Sequence, residues 1–102
     1  MKTTLLSGAF SFAVLAAAGA AGANPIERAC NASDRPASRP LCSCIGQVAE
    51  QTLSGADQRR AAKFFRDPAE AQKVRASDSR ANEAFWERYS NFGSAAAAYC
   101  GG

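Results

Sequence analysis

The sequence predicts an all-α fold: a small bundle of four to five short helices, stapled by two disulfides and preceded by a signal peptide. Three observations carry this. Apolar residues recur at three-and-four spacing in several segments, each opened by a cap residue and closed by a breaker. No segment alternates at period two, so no sheet is expected. Four cysteines, an even number, sit in a chain of 102 residues whose first segment reads as an export signal, and small exported domains pair their cysteines.

The first segment opens with Met1-Lys2-Thr3-Thr4 and then carries no charge from Leu5 to Ala18. It ends in the small residues Gly19-Ala20-Ala21-Gly22-Ala23, which place Ala at both the minus-three and minus-one positions for cleavage between Ala23 and Asn24. A basic start, an apolar centre and a small-residue exit make the three-part pattern of a secretory signal. A membrane anchor of this length would be built on Leu, Ile and Val and followed by basic residues. Here Asn24-Pro25-Ile26-Glu27 follows instead. The expected location is therefore periplasmic or secreted, and the first cysteine, Cys30, lies too far from the cleavage point for lipid attachment.

The remaining residues, 24–102, form one expected domain with eleven basic side chains, the chain's twelve less Lys2, against nine acidic ones. So small and interleaved an excess does not make the clustered basic face that nucleic acid or a membrane surface needs. A core this small supplies no more than about 3 to 5 kcal/mol, so covalent staples are called for.

Asn24 caps a short first helix, with Pro25 in its first turn, running to Cys30. The segment Asn31 to Arg39, with Asp34, Pro36 and Ser38, reads as a loop. Ser38 caps a second helix with Pro40 in its first turn, and Leu41, Cys44, Ile45, Val48 and Leu53 form its inward stripe. Ser54-Gly55 breaks that run, and a third helix follows through Ala61, Ala62, Phe64 and Phe65. Asp67-Pro68-Ala69-Glu70 has the form of a capping box opening a fourth helix from Pro68 to Arg75. Ser77-Asp78-Ser79 starts the longest helix, whose apolar face reads Ala81, Phe85, Tyr89, Phe92, Ala96 and Tyr99, widened by Trp86. Asn91 and Gly93 are weak points in it, and it is expected to end at Gly101-Gly102.

Cys42 and Cys44, one residue apart on a helix, point about 200° away from each other and need separate partners. The favoured pairs are Cys30 with Cys42 across the short loop and Cys44 with Cys100 across the domain. They are worth on the order of 3 and 4 kcal/mol in the chain-entropy model. Cys30 with Cys44 and Cys42 with Cys100 is the other arrangement. The same thiols also offer two chemical readings. One is a four-thiol zinc or copper site, although the spacing lacks paired Cys-x-x-Cys knuckles. The other is thiol exchange at Cys42-Ser43-Cys44, which wants an exposed thiol of low pKa.

The chain contains no His, which removes Ser-His-Asp and Cys-His nucleophile systems and the commonest general base. Glu83 and Glu87 lie one turn apart, and Arg59, Arg60, Lys63 and Arg66 make a basic edge beside Phe64-Phe65. Both sets read as solvated faces. Gly55 and Gly93 stand alone rather than in a phosphate loop. No catalytic, cofactor-binding or metal-ligating residue is therefore assigned, no cofactor is expected, and Trp86, Phe64 and Phe65 are the side chains whose exposure would mark a partner surface.

The run Leu41-Cys42-Ser43-Cys44-Ile45, the stretch Asp57-Gln58-Arg59-Arg60-Ala61-Ala62-Lys63-Phe64-Phe65-Arg66-Asp67-Pro68, and the close Phe85-Trp86-Glu87-Arg88-Tyr89 to Ala98-Tyr99-Cys100 resemble a family of short exported four-cysteine bacterial proteins labelled "arginine transporter". That resemblance implies a link to arginine or amino-acid transport. With no spanning segment after the signal, the link is an accessory one. The expectation from the residues themselves is an exported, non-enzymatic helical module that binds a protein or small-molecule partner or interacts with the envelope. Metal handling or thiol redox through the Cys-x-Cys pair is the alternative.

Overall fold

Each helix but one begins where a short polar side chain takes up an amide that the first turn leaves unbonded. The computed structural model describes residues 24–34 and 37–101. The expected signal peptide, Met1 to Ala23, lies outside the described residues, as do Arg35 and Pro36 of the first loop and Gly102. Asn24 Oδ1 accepts from the Glu27 amide at 2.8 Å and opens α1, Pro25–Ala32, two residues longer than expected. Ser38 Oγ accepts from Leu41 to open α2, Arg39–Thr52. Ser54 Oγ accepts from Asp57 to open α3, Gly55–Arg66. α4, Pro68–Arg75, follows after the single residue Asp67, and Ser79 Oγ accepts from Asn82 to open α5, Arg80–Cys100. α5 closes on Gly101 at φ 70°, the left-handed region where only glycine is at ease. No strand occurs among the described residues.

The expected capping box at Asp67 does not form. Asp67 ends α3 and begins α4 at once: its amide donates to Lys63 O, and its carbonyl accepts from Glu70. At φ −139° and ψ 84° its side chain makes no cap hydrogen bond. The four caps that do bond have ψ between 142° and 176°, the extended geometry of a side-chain cap, and Asp67 falls well short of it.

α2 is the central element, packed on α1 at one side and on α5 at the other. This corrects its expected single inward stripe. Val48 and Leu53 are buried as expected, but Leu41, Cys44 and Ile45 are only half-buried, while Cys42, Gly46 and Ala49 are fully so. A helix between two neighbours has two inward faces. Cys42 and Gly46 look toward α1, and Cys44 looks toward α5. The two cysteines thus leave α2 in opposite directions, Cys42 bonded to Cys30 and Cys44 to Cys100, which is the first of the two pairings that the spacing allowed.

α1 lies so close to α2 that only glycine fits between them. A Cβ on Gly46 would stand 2.9 Å from Glu27 Cβ. Asn24, the cap of α1, also donates through Nδ2 to Gly46 O at 2.8 Å and to Glu50 Oε2 at 3.0 Å. On the other side of α2, the aromatic residues of α5 meet α3. Phe64 stands edge-on to Phe85 at 5.9 Å and to Tyr89 at 5.1 Å, the arrangement that ring quadrupoles favour.

The inward line of α5 is Phe85, Tyr89, Phe92, Ala96 and Cys100. Tyr99, expected on it, is instead 79% exposed. The bond to Cys44 turns position 100 toward α2, which rotates position 99 about 100° away. Ala81 is likewise exposed, because Asn82 holds the inward place in the first turn. Asn82 accepts from Arg60 and donates to Ser77 Oγ. α5 runs unbroken through Asn91 and Gly93. No helix among the described residues is long and apolar enough to cross a membrane.

Candidate functional site: a groove lined by three arginines

Three guanidinium side chains from two helices line one groove. α1 packs against both α2 and α3, burying Ile26, Ala29 and Cys30. Asn24 of α1 and Gln58 of α3 both donate to Glu50 Oε2, so the two helices start side by side and run in the same sense. Gln58 fixes the turn between α2 and α3 as well. It is 4% exposed, and its Nε2 also donates to Leu53 O at 3.2 Å.

Between α1 and α3 lies an open groove of about 530 Å³. From α1 it is lined by Pro25, Arg28, Ala29 and Ala32, and from α3 by Arg59, Ala62 and Arg66. These positions are the i, i+3, i+4, i+7 face of α1 and the i, i+3, i+7 face of α3, each a single helix side. The small side chains form the floor. Ala29 and Ala62 are 7% exposed each, whereas the three arginines are exposed at the rim. The volume falls in the range of small-molecule pockets, roughly 300 to 1,000 Å³.

None of the described residues lining the groove is acidic, and Glu50 and Asp57 bond to groups outside it. Glu27 leans over Gly46 of α2, and Glu50 accepts from Asn24 and Gln58. Asp57, in the first turn of α3, is bonded to Arg88 of α5 at 2.6 and 3.1 Å. That two-pronged bond holds the Asp57 carboxyl below the usual aspartate range, with the charges of Arg88 and Arg60 adding to it against desolvation. Arg59 and Arg66 therefore bring positive charge to a groove with no carboxylate among its described lining residues.

The expected basic edge, Arg59, Arg60, Lys63 and Arg66, is divided by the fold. Arg60 turns to α5, its guanidinium 4.4 Å above the Phe85 ring, and Lys63 is exposed outside the groove. Arg59 and Arg66 go to the groove, joined by Arg28. Arg28 was not singled out by the sequence. Its place beside Pro25 and Ala29 on the first helix was visible there, but the extension of α1 to Ala32 and its crossing on α3 were not.

The other sequence candidates lie apart from this groove. All four cysteines are in disulfides, with no free cysteine among the described residues. A disulfide sulfur is not the thiolate that binds a metal. No group of three or more candidate metal-ligating side chains occurs among the described residues. Glu83 and Glu87 are both exposed on α5. Phe64 is buried, and Phe65 and Trp86 are half-buried. Phe64 and Phe65 border a hollow of only about 170 Å³ between α3, α4 and α5. A hollow of about 280 Å³ lies beside the Cys44–Cys100 bond, with Tyr99 at its edge. No protein-family model, curated protein or solved structure matches the chain.

Proposed function

We propose that this chain is an exported, non-enzymatic helical module that acts by binding, with the groove between α1 and α3 as its binding face. The observation that supports the reading is the gathering of Arg28, Arg59 and Arg66 from two helices around one alanine floor, with no acidic residue among the described lining. Two disulfides suit an oxidising compartment outside the cytoplasm. The first 23 residues fit the same destination, as a signal removed between Ala23 and Asn24. The transport link implied by the family resemblance fits the groove less well, since three guanidinium groups repel a cationic amino acid.

The test is native mass spectrometry of the protein recovered from the envelope of cells that produce it. The reading expects a chain that begins at Asn24, weighs four hydrogens less than its reduced form, and carries a non-covalent ligand mass. In Ala32→Trp, where an exposed groove residue is enlarged, that ligand mass is lost while the helical circular dichroism is kept. A recovered chain with alkylatable thiols and a bound metal would shift the function to the cysteines.

A further inference from the structure

We infer that the groove takes an anionic amphiphile: a phosphate or carboxylate head on a short apolar body. The inference rests on the reading of this groove as the binding face. Arg59 and Arg66 flank Ala62 at three and four residues' distance along α3, and Arg28 comes from α1 across the groove. Side chains on a helix lean toward its N-terminus. Arg59 accordingly reaches back to within 3.5 Å of where a Cβ on Gly55 would stand. The guanidinium groups are thus distributed along the groove, over about 10 Å of α3. Guanidinium is the group that grips phosphate and carboxylate in two-pronged fashion.

The floor decides between kinds of anion. Pro25, Ala29, Ala32 and Ala62 carry no polar side-chain atom, so an extended polyanion would lose hydration along the floor without hydrogen bonds in return. A ligand charged at one end and apolar along the rest meets the arginines at the rim and the alanines beneath, and the arginine stems extend the apolar wall. A cationic amphiphile meets like charge at the rim, and no described residue lining the groove is acidic to hold it.

The test is titration of the oxidised protein with octyl phosphate below its micelle concentration, followed by amide chemical shifts. Inorganic phosphate and octyltrimethylammonium serve as matched probes, and phosphatidylglycerol vesicles as a bilayer source of the same head chemistry. Octyl phosphate is expected to shift amides of residues 28–32 and 59–66. Arg59→Gln with Arg66→Gln is expected to weaken it at least about tenfold, the worth of one charge-assisted hydrogen bond, with circular dichroism unchanged. Vesicle binding lost in the same double variant places the head in a bilayer. Response to the monomeric probe alone places it in solution, and either supports the inference. Equal affinity for inorganic phosphate overturns the apolar body. Groove shifts of equal size with octyltrimethylammonium overturn the anionic head and leave the groove a binding face. If no probe shifts the groove, both the ligand class and the reading beneath it fall.

Discussion

Two glycines of this chain stand in opposite situations. Gly46 is where α1 rests on α2, and an added methyl would meet Glu27 Cβ, an atom fixed to the backbone rather than a flexible side-chain end. Gly46→Ala is expected to cost about 1 to 3 kcal/mol, as overpacking does. Gly93, inside α5, has nothing within 4 Å of the same position. Gly93→Ala is expected to add about 0.5 to 1 kcal/mol by relieving the entropy that a mid-helix glycine costs. Urea unfolding of the two variants beside the parent checks both signs. At Asp57, the bond from Arg88 favours the charged carboxylate, so the folded state has the lower pKa. The stabilisation this brings is present above the unfolded aspartate pKa of about 3.9 and lost as pH falls through the lower folded value. Arg88→Met should raise the Asp57 pKa in a carboxyl-carbon NMR titration and shrink the acid-side loss of stability. An unchanged pKa would show that the pair does not persist in solution.

Among the elements, the caps were the most legible. Asn24, Ser38, Ser54 and Ser79 each act within the first turn of their own helix, so local sequence determines them. The cap at Asp67 failed where two helices abut, and the stripe on α2 was misread because α2 has two neighbours. Both depend on packing that no single segment encodes. Helical geometry sends Cys42 and Cys44 apart, which ruled out a bond between them and left two pairings, of which the favoured one is observed, but the consequence for exposure was not legible. Cys30 and Cys42 are buried, whereas Cys44 and Cys100 are each half-exposed. Under limited reductant with alkylation, Cys44 and Cys100 should be labelled first. Opening that bond, with its sequence separation of 56 against 12, should also lower stability more, by about 4 against about 3 kcal/mol in the chain-entropy model. Peptide mapping of partly alkylated protein and urea unfolding of the Cys→Ser pairs check the order and the size. Labelling of Cys30 and Cys42 first would contradict the packing of α1 on α2.

At the scale of the whole molecule, the all-helical class and the two staples follow from periodicity and cysteine spacing. The groove does not, because Arg28 and Arg66 meet only through the crossing of α1 on α3. The sequence did place Arg59, Ala62 and Arg66 on one helix, but it put Ala32 in the loop after Cys30, so only Arg28 and Ala29 of the facing side were legible. The central claim is that these two faces form the binding surface of an exported module. Amide hydrogen exchange on the oxidised protein, with and without an extract of the producing cell's envelope, tests it most directly. Added protection along α1 and α3, abolished by Ala32→Trp, is the predicted result. Protection confined to α5 around Tyr99, or unchanged exchange throughout, would contradict it.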